Sequence, residues 1–249
     1  MNRRSLLKCS CAISTPLLHA AEIGPINACC ISDEAFTAIV TKSKTNFSTI
    51  WENSPILFSS GNIAFDRALG RSLVRLAKEF RVFPAFGYIN DRLMQNAIAT
   101  TATRVGSTRG TVLFELNFLF RFLDHSEGGD AIILGICAHE FGHISQFFGG
   151  PYKRLRESHK TVKLVELHAD YLSGYFMSII KRERPNIRLR AFGETMHHLG
   201  GYETESPDFH GKPDERLQAL EKGFFSGPSF NGFDQATATG VQYIIENFS

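Results

Sequence analysis

Apolar side chains recur along this chain at two spacings, and the change from one to the other outlines the fold. Phe65, Leu69, Leu73, Leu76 and Phe80 fall at helical intervals and predict an amphipathic helix over residues 62–80. Ile133, Cys137, Phe141, Ile144 and Phe148, separated by 4, 4, 3 and 4 positions, predict a second helix that Asp130 is placed to begin. A longer apolar helical run covers residues 157–180, and Gly149-Gly150-Pro151 between the two marks a helix end and a turn. Further helices are expected over 32–47, 117–123, 189–199, 214–224 and 235–247. Between these, Pro84 and Gly87 mark extended chain, and short strands over 82–89, 96–101 and 111–116 would form a small sheet. The sum is a mostly helical α+β domain in which a small sheet lies beside the helix carrying Phe141.

That helix also carries chemistry. His139-Glu140-Phe141-Gly142-His143 sets two imidazoles four residues apart, so both stand on one helix face and reach one metal ion. Glu140, beside His139, is placed to take a proton from a water on that ion. A chain of this composition contains the pattern by accident about 2% of the time, so its neighbours must carry part of the argument. The apolar stripe lies nearly opposite the two histidines, which predicts one buried face and one metal-binding face.

A catalytic Zn2+ takes three protein ligands and keeps a fourth position open. Glu166-Leu167-His168-Ala169-Asp170 follows in the next helical run, with Glu166 and Asp170 again four apart. A return of the chain after Gly149-Gly150-Pro151 would make Glu166 the third ligand, and Asp170 the acceptor for the distal N–H of a ligand histidine. His168 sits about 200° round the helix from Glu166 and should point away from the metal. Cys137 lies on the apolar stripe and reads as a buried thiol, and His125, among polar loop residues, as a solvated one.

These residues resemble a known family. His-Glu-x-x-His followed by Glu-x-x-x-Asp is the gluzincin pattern. Glu166-Leu167-His168-Ala169-Asp170 looks like the Glu-Leu-x-Ala-Asp of bacterial neutral zinc metallopeptidases and of soluble relatives of the CAAX prenyl protease group. His210-Gly211-Lys212-Pro213-Asp214-Glu215-Arg216 is similar to a His-Gly-x-x-x-x-Arg block of those bacterial proteins. Asn96-Ala97-Ile98-Ala99 and Gly110-Thr111-Val112-Leu113-Phe114 look like the strand pair before the catalytic helix. The likeness covers about residues 96–225. His168 stands where the family often has Gln, and Lys212-Pro213 replaces a small polar pair.

The resemblance implies a zincin-like peptidase with one catalytic zinc, in which Glu140 passes the proton of water to the leaving amine and the metal stabilises the oxyanion. It also implies a second oxyanion partner downstream of Glu166. His210 is the first candidate and Tyr202 the next, with His197-His198 weaker; His210 has the alternative reading of a residue that fixes the loop before the helix at Pro213. Arg216 reads as a structural salt bridge. Strand 111–116 is the one expected to accept a substrate backbone by β-augmentation, its other reading being an ordinary core strand.

Composition bounds these readings. With 249 residues and 43% apolar content the chain can bury one sizeable core, and residues 29–249 are taken as a single domain. A net charge of +2 with both signs interspersed argues against nucleic acid as a partner, and no apolar run is long enough to span a bilayer. Asn2-Arg3-Arg4-Ser5-Leu6-Leu7-Lys8 looks like a bacterial twin-arginine export motif, making residues 1–28 an export signal and placing the rest in the periplasm or outside the cell. Ile26-Asn27-Ala28-Cys29 is a poor lipobox that would put a lipid anchor on Cys29, and the other reading is a basic N-terminus on a cytoplasmic protein. Of the five cysteines only Cys137 falls in the core, so no disulfide framework is implied. Three functions remain open: a zinc peptidase acting on peptides or unfolded proteins, a zinc hydrolase of other amides, and a zinc-binding scaffold that keeps the site without turnover, against which the retained Glu140 counts.

Overall fold

A computed structural model describes residues 56–57, 59–90, 96–101, 108–123, 128–206 and 208–249. The expected export signal, Cys29, the helix over 32–47 and His125 lie outside these residues. The elements run β1 (Ile56–Leu57), α1 (Ile63–Phe80), β2 (Ala85–Ile89), β3 (Ala97–Thr100), β4 (Thr111–Glu115), α2 (Leu116–Leu123), α3 (Gly129–Gly149), α4 (Pro151–Glu157), α5 (Lys163–Glu183), α6 (Arg190–His198), α7 (Pro213–Ser226) and α8 (Phe233–Phe248). The described chain is mostly helical with one small sheet, an α+β arrangement.

The expected helix boundaries hold to within a few residues because local signals set them. Asn62 caps α1, its side-chain oxygen accepting from the Phe65 N–H at 3.1 Å. Pro213 opens α7 at the position where a missing N–H costs nothing, and the Lys212 N–H donates to Glu215 Oε2 at 2.8 Å. Two segments differ. Residues 157–162 do not continue into the long helix; Pro151 instead starts the short α4, and α5 begins at Lys163. The two-residue β1 carries too little pattern to be seen in sequence.

The sheet order is β1-β2-β4-β3. β2 and β4 run parallel, while β1 and β3 pair antiparallel on the outside. This corrects the expectation for strand 111–116. β4 is hydrogen-bonded on both sides, so its backbone is already taken up by β2 and β3, and the edge strand near α3 is β3. β2 and β4 are buried along their whole length, as parallel strands at a sheet centre are.

α3 and α5 form the centre of the molecule. α3 is buried from Gly129 to Gln146 apart from Asp130, and α5 from Leu164 to Ile180 apart from Glu166. Of the stripe expected along α3, Ile133, Cys137, Phe141 and Ile144 are buried and Phe148 partly so, but the opposite face is enclosed too, because α2, α5, α6 and β3 pack around it. A helix enclosed on all sides favours an apolar or paired residue at each position, and His139, His143 and Gln146 of α3 are accordingly hydrogen-bonded. α3 and α5 meet at Gly142, where a Cβ would lie at contact distance, 3.4 Å, from the Ala169 Cα. That contact brings the second turn of one motif onto the other.

Candidate metal centre

One ligand atom each from His139, His143 and Glu166 lies within 4.8 Å of the others, so this group could hold a metal ion. The histidines come from adjacent turns of α3 and Glu166 from the first turn of α5. Their orientation is set from behind. The His139 Nδ1–H donates to Asp170 Oδ1 at 2.8 Å, and the His143 Nδ1–H donates to Gln146 Oε1 at 2.9 Å. Both rings therefore turn their Nε2 atoms inward, 3.0 Å apart, and each Nε2 lies 3.4 Å from a Glu166 oxygen. Two facing ring nitrogens beside a carboxylate favour a positive charge between them, which a proton or a shared cation can supply.

Electrostatics agree with that geometry. Burial works against charge on His139, but Asp170 and Glu166 outweigh it and lift the imidazole to about 10. His143 is likewise raised, with burial opposing and Glu166 prevailing. Burial would raise Glu166, yet His143 and the hydrogen bonds from both rings hold it well below the usual carboxylate range. The site thus concentrates negative potential where three donors converge. Glu140 differs from Glu166: burial pushes its carboxyl up, only partly offset by the two histidines. Two neighbouring carboxyl groups are thus driven apart, Glu166 held ionised and Glu140 pushed toward its protonated form.

Asp170 is fully buried and held by Arg216, whose Nε and Nη2 donate to its two oxygens at 2.8 Å each. Arg216 is itself buried and also donates from Nη1 to the Leu199 carbonyl at 3.1 Å. The expected structural salt bridge is thus the clamp behind the acceptor for His139. It also pins the chain where α6 ends.

These groups line one wall of a cavity of about 610 Å³. Across it stand the β3 edge from Asn96 to Ala99, apolar side chains including Phe118, Ile136, Met196 and Phe147, and the segment carrying Asp208 and His210. The structure separates the two candidate oxyanion partners. His210 lines the cavity with its Nε2 3.9 Å from Glu166 Oε2 and its side chain 48% exposed, whereas Tyr202 is 77% exposed and outside the lining. Gly211 follows His210 with φ +104°, a left-handed turn that feeds the chain into α7. His197 and His198 face elsewhere, on Asp214 and the Glu194 carbonyl. Cys137 is fully buried, and burial pushes its thiol up, so it is neither nucleophile nor ligand.

His168 points away from the metal ligands, as expected from its helical position, but it is not idle. It is fully buried, its Nδ1 accepting from Gln146 Nε2 at 3.0 Å and its Nε2–H donating to the Thr237 carbonyl at 3.3 Å. Gln146 was missed in the sequence. It lies one turn past His143, and that spacing was the available signal.

No protein-family model, curated protein or solved structure matches the chain.

Proposed function

We propose that the protein is a zinc-dependent peptidase with a zincin-like catalytic domain of the gluzincin kind. The observation that carries this reading is the convergence of His139, His143 and Glu166 on the wall of an open cavity, with the buried Glu140 beside them. Two imidazoles and a carboxylate with an unfilled position favour zinc over harder divalent ions. When bound, the ion supplies Lewis acidity, polarising a carbonyl oxygen and acidifying water toward a pKa of about 7.

The chain's own residues supply the rest. Glu140 accepts a proton from the attacking water as the C–O bond forms and then delivers it to the amine nitrogen as the C–N bond breaks. Burial raises its pKa, which makes the carboxylate a stronger base for taking up that proton. The His210 Nε2–H is positioned to donate to the carbonyl oxygen as it gains negative charge. β3, the sheet edge lining the cavity, offers backbone groups to an extended peptide, which favours a peptide over a compact amide. A scaffold without turnover would have no use for a buried Glu140 opening onto that space.

The test is metal analysis of purified protein paired with cleavage of casein, with and without chelator. One zinc per chain and chelator-sensitive cleavage are expected. Zinc-loaded protein that leaves casein and a peptide library intact would overturn the peptidase reading.

A further inference from the structure

The hydrogen bonds behind His143 differ in kind from those behind His139, and they lead further. Gln146 must present its NH2 to the Val165 carbonyl, to which Nε2 donates at 2.8 Å, because a carbonyl cannot face a carbonyl. That fixes the amide: Oε1 faces His143 Nδ1 at 2.9 Å, and the second Nε2 proton faces His168 Nδ1 at 3.0 Å. The imidazole states follow. His143 must carry its proton on Nδ1, freeing Nε2 for the metal, and His168 must carry its own on Nε2, which meets the Thr237 carbonyl of α8. Gln146 and His168 are both fully buried, so no water substitutes for a lost partner. α8 is held close here, since a Cβ at Gly240 would lie 2.7 Å from the Tyr171 ring and 3.1 Å from that of His168.

We propose that Gln146 and His168 are positioning residues for the metal centre: a neutral relay from the Thr237 carbonyl through His168 and Gln146 fixes the tautomer and ring orientation of His143. The inference rests on reading His139, His143 and Glu166 as a metal site. It divides the two histidines by function. His139 is backed by a carboxylate clamped by Arg216 and is the more basic donor, while His143 is backed by an amide that adds direction without charge. Because the relay ends on α8, the seating of the C-terminal helix is coupled to the ligand geometry of α3.

The decisive measurement is the imidazole tautomer by two-bond nitrogen–proton NMR, with Gln146→Met and His168→Gln as variants. In the parent, His168 is expected as the Nε2–H form with and without zinc, and His143 as Nδ1–H with zinc bound. Gln146→Met should weaken zinc binding about 10- to 100-fold and change the absorption spectrum of the Co2+-loaded protein. His168→Gln, whose side-chain oxygen can still accept from Gln146, should recover most of the affinity. His168 found as Nδ1–H in the parent overturns the relay without any variant, and so does a folded Gln146→Met protein with parental zinc affinity and Co2+ spectrum. Failure of the parent to bind zinc would instead defeat the metal reading, and the His168 tautomer in the metal-free chain would still decide the hydrogen-bond order.

Discussion

Asp170 joins two tasks in one buried carboxylate: Oδ1 accepts from both the His139 ring and Arg216, and Oδ2 from Arg216 again. Burial would raise its pKa, but the Arg216 charge and hydrogen bonds, with His139, keep the group ionised and below its usual value. Removing it leaves a guanidinium with a buried charge and no counterion. Asp170→Ala should therefore cost about 3–5 kcal/mol in urea unfolding and weaken zinc binding as well, whereas Asp170→Asn, which keeps the shape, should lose less stability. Equal stability of parent and Asp170→Ala would show that Arg216 finds another partner. The two glutamates at the site should separate cleanly. Glu140→Gln is expected to keep its zinc and lose about 100-fold or more in casein cleavage, while Glu166→Ala should lose metal and activity together. Full metal occupancy in Glu166→Ala would remove that residue from the ligand set.

Helix contacts hold these residues in place, and the tightest are made at glycine. α5 and α7 pack more extensively than any other pair of elements, with Cβ positions at Gly174 and Gly223 only 2.0 Å from the Leu220 carbonyl oxygen and 1.9 Å from that of Tyr171. Gly223→Ala must push the helices apart and should destabilise by about 2 kcal/mol or more, despite alanine's better helix propensity. Gly193 in α6 is the control, since its Cβ would meet only the Leu217 side chain at 3.6 Å; Gly193→Ala should stabilise by about 0.5–1 kcal/mol in the same urea titration. A pH effect belongs to the α5–α8 contact. Burial pushes His168 down to about 4, while the unfolded chain takes up that proton below about 6.5. Its contribution is therefore complete above pH 6.5 and is lost as pH falls to about 4, by about 3 kcal/mol. His168→Gln, which cannot titrate, should flatten that part of the stability profile; superimposable parent and variant profiles would contradict the assignment.

At the scale of the molecule, the proposed ion ties α3 to α5 and so acts as a ligand of the folded state alone. Free zinc at about 1,000 times Kd should raise unfolding stability by about 4 kcal/mol, an effect absent in Glu166→Ala. A melting temperature independent of zinc in the parent would argue that the site does not bind it. Among the described residues no helix is long and apolar enough to cross a membrane.

How far the site was legible in the sequence follows from how local its causes are. The spacing of His139, Glu140 and His143 fixes their shared helix, Asn62 and Pro213 fix helix starts, and the Glu166 to Asp170 spacing places those two carboxylates on successive turns. These are consequences of 3.6 residues per turn and of capping, which neighbouring residues alone decide. The turn into α4, the edge position of β3 rather than β4, the exclusion of Tyr202 and the placement of Gln146 and His168 behind His143 are different in kind. Each depends on which elements meet in space. Periodicity and capping act within a few residues, so the helices and the chemical groups they carry are legible along the chain. Which groups converge depends on the packing of α3 against α5 and on the enclosure of α3 on every side, and both are contacts between elements distant in sequence.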